Sequence, residues 1–139
     1  MTEKEFRHDY CELLQYYQFI ELHLRGICAA FEEDKSWFEA LDNYECDTLG
    51  KLLFLIKNVQ SQKKLNLFSP DDLNALDSIR NERNFWVHQC FVSPGHVIFK
   101  HGNVRGKGFP KRIKEALNTA IEWDIKVTEA ERMVVPKPI

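Results

Sequence analysis

The sequence predicts an all-α protein: an antiparallel up-and-down bundle of four main helices, with a basic glycine-rich loop or small hairpin before the last one. Apolar residues recur at steps of three and four from Phe6 to Phe31, the period of one helix face. Three further segments repeat that spacing and are joined by short polar connections. No repeat or linker composition marks a second domain, so residues 1–139 read as one. A chain of 139 residues can bury one sizeable core, and 44% hydrophobic with 29% charged residues fits a globular rather than a disordered protein.

The first element carries Phe6, Tyr10, Leu13, Leu14, Tyr17, Ile20, Leu24, Ile27, Cys28 and Phe31 on one stripe. A connection with a short helical turn around Trp37 follows. Asp47 or Thr48 can cap a second helix built on Leu49, Leu52, Leu53, Ile56 and Val59. Ser69–Pro70–Asp71–Asp72 is a helix start: a hydroxyl for the free amides, proline in the first turn, and acids at the positive end. This third helix is expected to run to about Phe91, before Pro94–Gly95. Four of the six glycines lie between 95 and 108, which predicts a loop with a hairpin turning at His101–Gly102–Asn103. A last helix, with Ile113, Leu117, Ala120 and Ile121 inward, is expected to reach about Met133 and to end at Pro136 and Pro138.

Charge is unevenly spread. The net charge is −2, yet no acid lies between Glu82 and Glu115, where seven cations stand. Arg83, Lys100, Arg105, Lys107, Lys111, Arg112 and Lys114 suit a polyanion, although such a run can equally be a solvated face. No apolar run approaches the roughly 18 residues of a membrane span. The charged N-terminal segment lacks a signal-peptide core, and four scattered cysteines suit reduced thiols in a cytoplasm.

The basic window opens at Arg83–Asn84–Phe85–Trp86–Val87–His88. On the third helix Leu76, Ile79, Trp86, Val87 and Cys90 share an apolar face, and Arg83 falls in register with it. A guanidinium cannot shed its charge, so Arg83 must snorkel out, find an anion, or face another subunit. Asn84 and His88 lie one turn apart, and the three polar side chains span an arc of about 140°. One cleft can receive all three. The plainer alternative makes Arg83 an edge-of-core ion-pair partner and His88 a surface histidine.

This hexapeptide resembles the signature of the HEPN superfamily: an Arg, a polar residue, then a His four to six residues after the Arg, late in the third helix of a small bundle. Glu21 and Arg25 resemble a secondary feature of that family, a Glu followed four residues later by Lys or Arg in the first long helix. The resemblance implies a metal-independent endoribonuclease, often a toxin or antiviral element, working as a homodimer that pairs two motifs across one cleft. It implies Arg83, Asn84 and His88 as catalytic residues, with Glu21 and Arg25 supporting them. RNA brings its own nucleophile, the 2′-hydroxyl, so no serine or cysteine is required. Histidine titrates near neutrality and suits proton transfer; arginine suits the phosphate. The partners expected are RNA, held by Lys100, Arg105, Lys107, Lys111, Arg112 and Lys114, a second copy of the chain, and an antitoxin or other regulatory protein. No cofactor and no metal is expected.

Rival chemistry fits less well. His88, Cys90, His96 and His101 lack paired zinc-ligand spacing. Gly102–Asn103–Val104–Arg105–Gly106–Lys107–Gly108 has neither the glycine spacing nor the following Ser/Thr of a phosphate loop. Cys90 has no base partner beyond His88, on a different helical face. The remaining alternative is a non-catalytic adaptor or nucleic-acid-binding helical module, since a fold does not confer activity.

Overall fold

A computed structural model of the chain describes residues 1–88, 90 and 98–135. It is all-α, with five helices and one two-stranded hairpin among the described residues: α1 (Glu3–Ala30), α2 (Trp37–Asp42), α3 (Leu49–Gln62), α4 (Pro70–His88), β1 (Phe99–Lys100), β2 (Asn103–Val104) and α5 (Gly108–Val134). The short turn expected around Trp37 is α2.

Caps explain most boundaries. Thr48, one of the two residues able to cap α3, accepts from the Lys51 amide (3.3 Å). At α4 the Ser69 hydroxyl accepts from the Asp72 amide (3.0 Å), and Asp72 accepts the Ser69 amide in return (3.1 Å). α1 begins three residues before its first apolar position. Thr2 and Glu5 close a reciprocal box there, each side chain accepting the other's amide (3.1 and 3.0 Å). The described part of α4 stops at His88; the expected end near Phe91, with Pro94–Gly95, lies outside the described residues, as do Pro136 and Pro138.

The hairpin turns where the glycine pattern indicates. His101 and Gly102 both take positive φ, 53° and 76°, the pair a tight primed turn requires. Phe99 pairs with Val104 and Lys100 with Asn103. This small ribbon is tied to the start of α1: the Glu3 amide donates to the Gly102 carbonyl (2.8 Å) and the Val104 amide to the Met1 carbonyl (3.0 Å). The first residues of α1 therefore sit beside the residues that lead into α5.

That tie has a consequence for topology. Asp9 pairs with Lys114 (2.7 Å), and fourteen residues on, His23 reaches Glu131 (3.3 Å) and Asp124 (3.7 Å). α1 and α5 thus lie side by side in the same direction, so this pair does not follow the antiparallel alternation expected of an up-and-down bundle. They approach closely at Gly26, where a β-carbon would come within 2.0 Å of the Glu131 carboxylate. Burial raises the pKa of Glu131, and His23 offsets only part of that rise.

The core runs along all the long helices and centres on Trp86, which is fully buried. Its ring meets Phe6 (6.1 Å) and Tyr10 (6.4 Å) of α1, Phe85 (5.1 Å) of its own helix and Phe109 (6.1 Å) of α5. Its indole N–H donates to Glu82 (3.0 Å), and its carbonyl accepts from the Tyr10 hydroxyl (2.9 Å). Leu76, Ile79 and Cys90 are buried with it, but Val87 is 41% exposed. One residue beyond Trp86, Val87 has turned about 100° away from the core, so it leaves the apolar face on which the spacing put it. The inward register is 76, 79, 83, 86 and 90.

Trp86→Ala should cost about 3–5 kcal/mol by removing the largest fully buried side chain. Urea unfolding should show this as a lower midpoint with unchanged slope. A loss below about 1 kcal/mol would be incompatible with a fully buried hub.

Candidate functional site

The C-terminal half of α4 carries the three residues singled out by the sequence. Arg83 and Asn84 are half-buried and His88 is exposed in the last turn. Trp86 sets the rotation of the helix, and that rotation directs Arg83 toward α1. There it meets Glu21, with Nε 2.6 Å from Oε1. Of the three escapes open to a guanidinium in an apolar register, Arg83 takes an anion.

Glu21 is itself buried, with 7% of its surface exposed. Its second oxygen lies 3.8 Å from an Arg25 amino nitrogen. Glu21, Arg25 and Arg83, far apart in sequence, therefore form one cluster. Two guanidinium groups share a single carboxylate, which leaves one positive charge uncompensated within it. Neither Glu21 Oε1 nor Arg25 Nε makes a directed hydrogen bond, although both atoms are buried. The cluster is held by charge more than by hydrogen-bond geometry, and Arg25 keeps a buried donor in reserve.

The basic block divides. Arg112 chelates Glu82 through Nε and Nη2 (3.1 and 2.6 Å), and its guanidinium carbon lies 3.4 Å from the Phe85 ring centre. Lys114 pairs with Asp9, and that bond raises the pKa of its ammonium. Lys111 stands 3.9 Å from Glu115, both largely exposed. Lys100, Arg105 and Lys107 are exposed on and after the hairpin, and no ion pair holds them among the described residues. Of the six cations expected to hold RNA, these three are the freest, whereas Arg112 and Lys114 serve the fold.

Glu82 escaped the sequence reading, yet it orders this region by binding Trp86 and Arg112 together. Its one local signal is the spacing of four to Trp86. Cys90 is buried and donates to the Trp86 carbonyl (3.1 Å), which removes it from reach as a nucleophile. His96, weighed as a zinc ligand, lies outside the described residues. Among the described residues only His8, Asp9 and Glu12 bring three ligand atoms within 4.8 Å of one another. Asp9 is already occupied by Lys114. No helix is long and apolar enough to cross a membrane among the described residues.

Comparison with protein-family models, curated proteins and solved structures finds no match for the chain.

The Glu21–Arg83 pair should behave as a coupled unit. Arg83→Met leaves a buried carboxylate with only Arg25, 3.8 Å away, and should destabilise by about 1–3 kcal/mol. Adding Glu21→Gln should recover much of that loss in a double-mutant cycle. Additive effects of the two changes would show that the ion pair is not coupled.

Proposed function

We propose that the chain is a metal-independent endoribonuclease of HEPN type, acting as a homodimer in which two copies of α4 face each other across a cleft. One observation carries this reading: two arginines, Arg83 of α4 and Arg25 of α1, share one buried carboxylate, which leaves a surplus positive charge beside the helix that carries Asn84 and His88. A phosphodiester supplies the missing anion. Arg83 then stabilises the charge that grows on the phosphoryl oxygens, and Asn84 orients the phosphate or the imidazole. One His88 takes the proton from the 2′-hydroxyl as it attacks phosphorus, and the partner copy's imidazole protonates the departing 5′-oxygen. The products are a 2′,3′-cyclic phosphate and a free 5′-hydroxyl. Lys100, Arg105 and Lys107 hold the RNA backbone beside the cleft. An alternating up-and-down bundle also belongs to this reading, and the parallel α1–α5 pair is where this chain departs from it. A cytoplasmic toxin or defence nuclease restrained by a partner protein is the corresponding biological setting.

A second reading is favoured by the Glu21–Arg83 pair itself, which gives Arg83 a structural role. In that reading the bundle is a non-catalytic adaptor or nucleic-acid-binding module, and His88 is a surface residue.

Purified protein should cut a mixed RNA pool in the presence of EDTA. His88→Ala should lower that rate about 10²–10⁴-fold with RNA affinity retained. Folded His88→Ala cutting as fast as the parent would refute the catalytic assignment, and a parent without cleavage would leave the adaptor.

Replacing Lys100, Arg105 and Lys107 by alanine should reduce the slope of log affinity against log salt by about 2, for three phosphate contacts on a single strand. An unchanged slope would make the block a solvated face.

A further inference from the structure

α3 and α4 leave a groove between them, in which two cavities of about 300 and 260 Å³ adjoin at Lys57, Leu73 and Asn74. Leu53, buried on α3, and Leu73, half-buried on α4, give it apolar walls. One residue beyond Leu53 the helix has turned about 100°, so Phe54 stands 63% exposed in one cavity; Leu65, in the other, is 42% exposed. The stretch is cationic: between Asp47 and Asp71 stand four lysines and no acid. Two of the lysines are used within the fold, Lys51 on Asp47 (3.0 Å) and Lys63 on Glu33 (2.9 Å). Lys57, shared by both cavities, is exposed and has no ion pair among the described residues.

The segment just before it is the reverse. Residues 32–47 hold seven acids against one lysine. Glu33 and Asp47 are engaged by the two lysines above, but Glu39 and Asp42 of α2 are exposed and have no ion pair among the described residues. Beside them Phe38 is 76% exposed, and it and Phe54 are the two most exposed aromatic side chains among the described residues. Its neighbour Trp37 anchors α2 to α1 by donating its indole N–H to the Gly26 carbonyl (2.9 Å), which leaves Phe38 outward. An exposed ring flanked by unpaired acids complements an apolar groove centred on an unpaired lysine. The spacing matches as well: Phe54 and Lys57 lie one turn apart on α3, as Phe38 and Asp42 do on α2.

We propose that the α3–α4 groove takes α2 of a second copy of this chain, with Phe38 against Phe54 and the carboxylates of Glu39 and Asp42 at Lys57. A foreign acidic helix would satisfy the lysine too, but this chain already carries both halves at matched spacing. The groove uses the N-terminal half of α4, away from Arg83, Asn84 and His88, so the inference does not rest on the nuclease reading.

Sedimentation velocity of the full chain, from micromolar to millimolar concentration, tests this. The average mass should rise with concentration and fall as salt is raised, because the paired charges lie at the surface. Phe38→Ala should weaken the association about tenfold or more, the worth of one ring buried at an interface. Lys57→Glu should weaken it by a similar factor, because it sets like charges against each other. Both positions are exposed, so the melting temperature should be retained. Combining Lys57→Glu with Glu39→Lys and Asp42→Lys exchanges the charges across the interface and should restore the association. The proposal is overturned if the parent's mass does not change with concentration, which would leave the groove to a different acidic protein. It is equally overturned if Phe38→Ala and Lys57→Glu associate like the parent, or if the charge-exchanged variant associates no better than Lys57→Glu.

Discussion

Burial of Trp86 is the constraint on which the rest of the structure depends. A ring of that size has few ways to disappear from water. Here it does so between aromatic side chains from α1 and α5, with its N–H committed to Glu82. Once the ring is seated, the rotation of α4 about its axis is determined. Glu82 then faces α5 and Arg83 faces α1, so two neighbours of opposite charge serve opposite sides of one helix. A rotation of about 100° either way would push one of those charges into the core and expose the indole. The tryptophan and the ion pairs therefore select the same setting.

The ion pairs add definition more than stability. Taking Glu21 out of water is expensive, and attraction to Arg83 only partly offsets that. What the pair supplies is register: a carboxylate on α1 accepts α4 at one height and one rotation. Lys114–Asp9 and the His23 contacts do the same for α1 against α5, and the backbone bonds from Met1 and Glu3 to the hairpin set their common direction. Apolar stripes alone would let long helices slide by a turn at modest cost. Charges at unique heights do not.

Local features were legible in the sequence and long-range ones were not. The helix class, the Ser69 start, the Thr48 cap and the His101–Gly102 turn depend on neighbouring residues, and the chain spells them out. Apolar spacing marks α1 only from Phe6, whereas the helix is started by a polar box at Thr2 and Glu5. Periodicity carries no direction, so the parallel run of α1 and α5 had no local signal. At the candidate site the residues of α4 could be found, and so could Glu21 with Arg25. That Glu21 would meet Arg83, or that Glu82 would claim Arg112, depends on packing between distant segments. Val87 shows the limit of spacing: positions 83 and 87 share a stripe on paper, but the helix phase is decided by the larger Trp86.

The pairing of Arg83 with Glu21 bears on how a phosphate would be bound. An arginine in water loses much rotamer freedom when it grips a ligand. Arg83 has already lost much of it, because the Glu21 carboxylate holds its guanidinium against α1. Glu21 engages only part of the five-donor fork, and Arg25 shares the same carboxylate. In the proposed reaction an arriving phosphate therefore meets a positioned donor set, backed by a second guanidinium, with no need to break the internal pair. The same pair keeps the charge from being buried alone when RNA is absent. In that reading a structural ion pair and a phosphate-binding arginine are two uses of one side chain, because the buried anion that satisfies the fold also restrains the donor.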